Sequence, residues 1–190
     1  ASFGHGIAVT PVHLMRAVAA LVNGGNLVTP HLVMPDEGIP AEKGPLVIRP
    51  ETSVKMRQLM ELTVAVGTGS NAHIEGYNIG GKTGTAEKNV NGRYVQSAVL
   101  SSFIGVFPIE APRYAILAIV DEPRPIAETH GFVTGGWTAA PVVGRVIEQM
   151  APLYQIPPAL DTRPKIVETM TAYLKEAQEG KFVATLGIDH

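Results

Sequence analysis

Two long apolar segments separated by a short polar turn dominate the middle of the chain. Residues 95–107 read VQSAVLSSFIGVF and residues 114–120 read YAILAIV, with a turn-like stretch at 110–113 between them. Both are apolar at alternate and at intervening positions, which predicts strands covered on two faces. A third segment at 80–86 precedes them across the turn signal Asn91-Gly92. The pattern predicts an antiparallel meander with a helical layer on each side.

Helix signals that could supply those layers flank the three segments. Thr10-Pro11 is typical of a helix start, and Gly24-Gly25 of a helix end. A second helix is expected from Pro50 to Gly67. A third is expected to start near Trp137 and to comprise residues 138–153. Short extended pieces are expected at 27–33 and 45–49, and a loop at 122–136. The fold class is therefore α+β, with an antiparallel sheet covered by helices on both faces. The expected inner face of the second helix comprises Met56, Leu59, Met60 and Thr63.

Composition narrows the function classes. The chain has 190 residues, 45% hydrophobic and 17% charged, which is enough for one domain with a buried core. Its 15 basic and 17 acidic residues are scattered, so neither nucleic acid nor an anionic membrane surface is an expected partner. The longest apolar runs, at 17–22 and 115–120, are far shorter than the ~20 residues of a membrane span.

Cofactor and metal chemistry find little support in the sequence. Cysteine is absent, which excludes thiol catalysis, disulfides and cysteine-ligated metals. The six histidines include no pair at helical spacing, so no metal site is predicted. We expect no cofactor.

A glycine-rich stretch at 76–83 matches the phosphate-binding pattern G-x-x-x-x-G-K-T, and the apolar segment ending at Asp121-Glu122 imitates a magnesium-binding strand. A P-loop nucleotidase is thus a formal alternative. Its flanks argue against it, because polar residues precede it and Gly84 with a hairpin turn follows, where a helix is required. Asp121 and Glu122 are expected to face opposite ways as a solvated pair that ends a strand.

The second interpretation of the same stretch places residues 82–85 on an edge strand facing a cleft. Lys82 offers a positive charge and Thr83 a hydroxyl, both suited to an anionic group such as a carboxylate. Gly84 lacks a Cβ, so an extended peptide could pair with the backbone there. The amide of Thr85 could then serve as half of an oxyanion hole.

Six segments of the chain carry a resemblance to a known family: SFGHGIAVTPVHLMRAVAALVNGG at 2–25, VGTGSNA at 66–72, GGKTGTAEK at 80–88, SSFIGVFP at 101–108, VDEP at 120–123 and GGWTAAPVVGRVI at 135–147. Together they are similar to the later part of a penicillin-binding transpeptidase domain. Their order and spacing resemble class B penicillin-binding proteins, and the GGWTAAP form resembles the division-specific peptidoglycan transpeptidases. The resemblance spans residues 1–152 and implies the β-lactamase/D,D-transpeptidase fold, incomplete here.

The resemblance implies a D,D-transpeptidase that attacks the D-Ala-D-Ala end of a peptidoglycan stem peptide through an acyl-serine and is acylated by β-lactams. It assigns the third family motif, with catalytic and substrate-binding roles, to Lys82, Thr83, Gly84 and Thr85. It assigns the loop that walls the cleft to Phe132, Val133 and Thr134. It also implies a periplasmic location, an inner-membrane anchor in an N-terminal segment outside this chain, and other cell-division and cell-wall synthesis proteins as partners.

The chain departs from the family in one respect. It contains neither the S-x-x-K that carries the nucleophile nor the S-x-N of the proton relay, and its nearest approach is Thr52-Ser53-Val54-Lys55. Both motifs belong before SFGHG, so this chain alone is expected not to turn over substrate. A noncatalytic peptide-binding or assembly module stays open as an alternative.

The last part of the chain, residues 153–190, has no counterpart in the resemblance. Prolines at 157, 158 and 164 predict a connector, and an amphipathic helix is expected at 165–179, ending at Gly180. Packing on the domain, a fragment of a further domain and a handle for a partner are all compatible with this helix. Its single apolar stripe favours packing; the stripe comprises Ile166, Met170, Tyr173, Leu174 and Ala177.

Overall fold

The computed structural model describes residues 8–33, 44–90, 92–160 and 162–178. The described part contains five α-helices and three strands: α1 (Pro11–Val22), α2 (Pro50–Ala65), β1 (Gly80–Val90), β2 (Arg93–Phe107), β3 (Tyr114–Asp121), α3 (Gly135–Thr138), α4 (Ala140–Leu153) and α5 (Arg163–Gln178). Short 3₁₀ turns lie at Ser70–Ala72 and Ala127–Thr129. The sequence segment SFGHG and the end predicted at Gly180 for the last helix lie outside the described residues.

The three strands form an antiparallel sheet in the order β1-β2-β3, as the sequence predicts. Gly92, in the β1–β2 turn, has φ +83°, the left-handed conformation that glycine adopts without strain. Lys82 lies opposite Ile104 and Thr83 lies opposite Phe103. Because facing residues of a strand pair share a face, this register determines which layer each side chain of β1 meets.

Helices cover both faces of β2, which confirms the predicted α+β class. One face carries Phe103 and Phe107, which are fully buried against Val143 and Ile147 of α4. The close packing of α4 needs a glycine at position 105, where a Cβ would stand 2.6 Å from the Val143 Cγ1. The opposite face packs on α1 and α2. The buried residues of the core cluster on this side are Val18, Val22, Met60, Ile104, Val106 and Ile109.

The predicted helix starts at Pro11 and Pro50 are confirmed, and the Thr10 hydroxyl accepts the His13 N–H at 3.2 Å as a cap. The expected inner face of α2 is partly wrong. Met60 is buried, but Leu59 is 44% exposed, and the helix buries Ser53 and Val64 instead. The helix turns this way because Met60 packs on the α1 side of the sheet and Val64 packs on the α4 side.

Other boundaries differ in detail from the sequence prediction. The extended pieces expected at 27–33 and 45–49, both within the described ranges, form no strand; a single bridge joins Asn26, just before the first piece, to Leu46 in the second. The helix expected near Trp137 is divided into α3 and α4, which meet at Ala139. The strand expected at 80–86 continues to Val90, because the hairpin pairs its last residues with the start of β2.

The connector after α4 is tied to the core by hydrogen bonds. Asn78 is buried, and its side chain donates to the Leu160 carbonyl at 2.8 Å and accepts the Thr162 N–H at 3.2 Å. The Ala159 N–H donates to the Gly76 carbonyl at 2.8 Å. Helix α5 then lies against α2, with Ile166 buried. The division at residue 152 remains a prediction.

Two further observations bear on function classes. In the described part of the chain, no helix has the length and apolar character that a membrane crossing requires. The P-loop alternative is wrong on geometry, because Gly81, Lys82 and Thr83 lie inside β1. The element that follows directly is strand β2, where a P-loop requires a helix. A phosphate would meet a strand there, without the helix N-terminus that the motif needs.

Candidate active site

Residues 82–85, which we call the KTGT segment, lie in the first half of β1. Among the described strands, β1 pairs with β2 alone. Successive side chains of a strand point to opposite faces. Thr83 and Thr85 therefore share the α4 face with Phe103 and Ser101, their partners across the sheet. Lys82 and Gly84 lie on the α1 face. The motif thus presents two hydroxyls on one face and an exposed lysine on the other.

Thr83 is held by a second threonine. Its Oγ1 lies 3.0 Å from the Oγ1 of Thr68, in the segment that follows α2. That segment is fixed in turn, since the Gly69 N–H donates to the Thr63 carbonyl at 3.0 Å. The Asn71 side chain donates to the Gly136 carbonyl at 2.8 Å. Either hydroxyl can donate in this pair, and the contact fixes the position of the Thr83 oxygen before any ligand binds.

Lys82 reaches around the strand toward its neighbour. Its Nζ donates to the carbonyl oxygen of Thr83 at 2.7 Å, and the side chain is exposed. The ammonium group and the Thr83 hydroxyl consequently lie on adjacent residues of one strand. The two side chains leave the strand on opposite faces, and the Lys82 ammonium group turns toward the Thr83 backbone.

The predicted cleft wall, Phe132, Val133 and Thr134, leads directly into α3. The ring of Phe132 is 52% exposed and stacks on Trp137, with centroids 5.3 Å apart and planes at 18°. His130 meets the same indole edge to face at 5.3 Å. The backbone N–H of Trp137 donates to the Thr134 carbonyl at 2.9 Å. The aromatic side chains of the wall therefore pack on one another.

Two glycines bring this wall onto β1. A Cβ at Gly135 would stand 2.1 Å from the Ser102 carbonyl oxygen and 2.6 Å from that of Gly84. A Cβ at Gly136 would stand 2.2 Å from the backbone carbonyl oxygen of Thr68. The Gly135 N–H donates to the Thr85 Oγ1 at 3.1 Å. Any larger residue at these two positions would push the wall away from the strand.

The acidic pair at the end of β3 behaves differently from the prediction. Lys88 Nζ lies 2.6 Å from Asp121 Oδ1 and 2.9 Å from Glu122 Oε1. The expected opposite orientation is wrong because Glu122 has φ +47°, which bends the chain and brings both carboxylates to one lysine. Hydrogen bonds to Asp121 and Glu122 raise the pKa of Lys88. This network is exposed and ties the ends of β1 and β3 together.

No grouping of three or more metal-ligating side chains occurs within the described ranges. Sequence reasoning missed Thr68 and Asn71 as supports of the site. The signal available was the cluster Gly67-Thr68-Gly69-Ser70-Asn71, a turn composition whose position beside Thr83 depends on tertiary packing.

Comparisons with known proteins identify the family of the chain. A family model described as the penicillin binding protein transpeptidase domain matches residues 1–148. The chain is 41% identical over 160 residues to a probable peptidoglycan D,D-transpeptidase FtsI of Caulobacter vibrioides, covering 80% of this chain and 27% of the relative. It is 37% identical over 166 residues to stage V sporulation protein D of Bacillus subtilis, covering 83% and 25%.

Solved structures resemble the chain over most of its length. The apo transpeptidase domain of Burkholderia pseudomallei penicillin-binding protein 3 aligns with a TM-score of 0.74 at 32% identity, covering 84% of this chain and 47% of that one. Penicillin-binding protein 3 of Mycobacterium tuberculosis, complexed with ampicillin, aligns with a TM-score of 0.69 at 26% identity, covering 83% and 38%. The chain thus spans about a quarter of the curated relatives and less than half of these structures.

Proposed function

Since the chain belongs to the penicillin-binding protein transpeptidase family, as the match over residues 1–148 shows, we propose that it forms the later part of the catalytic domain of a peptidoglycan D,D-transpeptidase. The observation that carries the proposal is the KTGT strand. Its Thr83 hydroxyl is held 3.0 Å from the Thr68 Oγ1, and the exposed Lys82 is the neighbouring residue. The cleft wall lies close to this strand because Gly135 and Gly136 have no side chains.

The strand offers a docking edge for an extended peptide. In an antiparallel pair, alternate residues direct their N–H and C=O groups toward the partner strand and away from it. The Gly84 and Ser102 carbonyls both lie under Gly135, which supports pairing of Gly84 with β2. The backbone groups of Thr83 and Thr85 then face the open edge, where a stem peptide could add as a further strand.

The residues of the site have distinct roles in this proposal. Thr83 and Lys82 bind the terminal carboxylate of D-Ala-D-Ala, or its β-lactam equivalent, through charge-assisted hydrogen bonds. The Thr85 N–H stabilises the oxyanion that develops on the carbonyl under attack. Gly84 keeps the strand free of a side chain where the peptide lies. Phe132, Val133 and Thr134 form the wall that confines the substrate.

The reaction forms an ester between a serine oxygen and the penultimate D-Ala carbonyl, with the terminal D-Ala leaving as the free amino acid. An amine of a neighbouring peptide then takes the acyl group and releases the serine. The serine is supplied by sequence outside this chain, since no S-x-x-K occurs within it. The present residues bind the substrate and stabilise its charge.

The substrate also suggests where the protein acts. Peptidoglycan lies outside the cytoplasm, and the relatives include peptidoglycan transpeptidases. In our proposal the whole protein is periplasmic and is held at the inner membrane by a segment that precedes these residues. Cell-division and cell-wall synthesis proteins are its expected partners.

Acylation of the full-length protein by a fluorescent penicillin tests the proposed function. We expect one covalent label per molecule, which unlabelled ampicillin prevents. A folded full-length protein that stays unlabelled would contradict the proposal and favour the noncatalytic peptide-binding or assembly module.

A further inference from the structure

Two hydroxyls on neighbouring strands hold the cleft wall from the same side. The Ser101 hydroxyl donates to the Val133 carbonyl, and the Thr85 Oγ1 accepts the Gly135 N–H at 3.1 Å. Ser101 and Thr85 lie directly opposite each other in the β1–β2 register. Their targets, Val133 and Gly135, are two residues apart. The backbone on both sides of Thr134 is therefore fastened to the sheet; we call this pair of hydrogen bonds the hydroxyl clamp.

In the segment before the clamp, residues 126–132, the aromatic contacts of His130 and Phe132 run to Trp137 and not to the sheet. Within it, the Gly131 N–H donates to the Ile126 carbonyl at 3.0 Å, and the Phe132 N–H donates to the Thr129 carbonyl at 2.8 Å. These bonds shape the segment without attaching it to a strand. Ile126 and Phe132 are 51% and 52% exposed, so burial of apolar surface contributes little to its position.

Ser101 is suited to a fixing role because it has no contact with water. The residue is 0% exposed, whereas the Thr85 side of the clamp is open to solvent. Val133 is half-buried, and a carbonyl that loses its donor costs free energy to the extent that it is shielded from water. Loss of the Ser101 hydroxyl should therefore drive the Val133 carbonyl outward to find water, and the wall would move with it.

We propose that Ser101 is a positioning residue, which acts through Val133 to hold the cleft wall at the distance from β1 that acylation requires. This inference rests on the proposed transpeptidase function. Ser101 itself need not touch the substrate. It contributes by fixing in advance the wall against which the acyl donor is oriented, so that the reacting groups meet in one geometry.

The test compares Ser101→Ala with Ser53→Ala in the full-length protein. Ser53 is a matched control, because it is 1% exposed and its hydroxyl accepts the Gly24 N–H at 3.0 Å, in a different part of the fold. Each variant removes one buried hydroxyl. We expect Ser101→Ala to lower the second-order acylation rate by a fluorescent penicillin about tenfold. We expect Ser53→Ala to lose similar thermal stability and to keep the wild-type rate.

Amide hydrogen exchange supplies a readout that a purely structural role would not change. Exchange in a peptide covering residues 131–138 should become faster in Ser101→Ala and stay unchanged in Ser53→Ala. Equal acylation rates in wild type and Ser101→Ala would overturn the positioning role. An equal slowing in both variants would also overturn it, since stability alone would then explain the effect.

Failure of the proposed function has a different signature. In that case the wild-type protein itself would not be labelled, and the positioning role would fall with the function. Should Ser101→Ala not fold, Ser101→Cys retains the size of the side chain but offers only a weak donor. We expect an intermediate rate for that variant, and a wild-type rate there would contradict the inference.

Discussion

Thr83 illustrates how one residue of the KTGT strand combines two requirements. Its backbone continues the β1–β2 ladder, and its hydroxyl is oriented by the Thr68 Oγ1 at 3.0 Å. A hydroxyl whose oxygen is already held in position loses little conformational freedom when an anion binds. The structure thus supplies a reason for a threonine at this position beyond its preference for strands.

Replacing Thr83 with valine separates the two requirements. Valine keeps the branched shape that a strand favours, so we expect the melting temperature to change little. The lost hydrogen bond to a charged group, worth roughly 1.5–3 kcal/mol, should slow acylation of the full-length protein by about one to two powers of ten. The second-order rate and the thermal melt are measured together. A normally folded variant with an unchanged rate would remove Thr83 from the site.

Thr68→Val tests whether orientation of that hydroxyl matters. We expect a smaller slowing of acylation than for Thr83→Val, since the donor remains but can rotate. The double variant should be no slower than Thr83→Val alone, because both changes act on one hydroxyl. Thr171→Val on α5, which removes an exposed hydroxyl that donates to the Val167 carbonyl, is the control. Additive effects of Thr68→Val and Thr83→Val would contradict a shared role.

Lys88 leads to a prediction about pH. Its partners Asp121 and Glu122 raise its pKa above the ordinary value of 10.5, so the folded state holds this proton more tightly than the unfolded state. The contribution to stability is then fully present below pH 10.5 and is lost as pH rises through the raised value. Wild type and Lys88→Met should therefore converge in melting temperature at high pH. A difference that persists or grows in strong alkali would contradict this assignment.

At the scale of secondary structure elements, the hairpin and the helices behave as a framework and the segments between them build the site. Helix α4 approaches β2 closely enough to require glycine at position 105. The segment after α2 and the start of α3 then meet the first half of β1, which carries residues 82–85. Three elements far apart in sequence thus place Thr83, Thr68 and Gly136 together.

The buried side-chain amide of Asn78 helps to hold the connector to α5. Asn78→Ala would leave the Thr162 N–H and the Leu160 carbonyl without their partner, so we expect a loss of roughly 1–3 kcal/mol of stability. We also expect proteolysis to begin between residues 154 and 162, while wild type resists it there. Asn71→Ala, whose side chain is exposed, is the control for loss of an asparagine amide. Cleavage at equal rates in Asn78→Ala and wild type would contradict a role for Asn78 in holding the connector.

For the molecule as a whole, the proposed function assigns to these residues one wall and one strand of the substrate cleft. The chain spans 47% of the aligned Burkholderia transpeptidase domain. In the proposed mechanism, binding and charge stabilisation come from these residues, and covalent chemistry comes from the other part of the domain.

The isolated 190-residue chain should accordingly form no covalent adduct with a labelled β-lactam, whereas the full-length protein should. Intact mass spectrometry after incubation distinguishes the two results. ATP should not bind to the chain, because Lys82 and Thr83 lie within a strand. A stoichiometric adduct on any serine of the isolated chain would mean that the nucleophile is present here after all.

The meander, its helical layers and the KTGT strand could be predicted from the amino-acid sequence alone. These follow from local signals: apolar residues on both faces at 95–107 and 114–120, proline and threonine at helix starts, and glycine at turns. The resemblance to transpeptidases likewise depended on the order of short motifs. Local signals are readable because a strand or a helix start is specified by adjacent residues.

Only the tertiary structure decided which side chains support the site. The contacts Thr68 to Thr83 and Ser101 to Val133 join residues 15 and 32 positions apart, and no periodicity relates them. The left-handed bend at Glu122 likewise reversed an expectation drawn from strand alternation. Such contacts depend on how packed layers bring loops together, because a hydroxyl finds its partner through the position of the whole backbone and not through its neighbours in sequence.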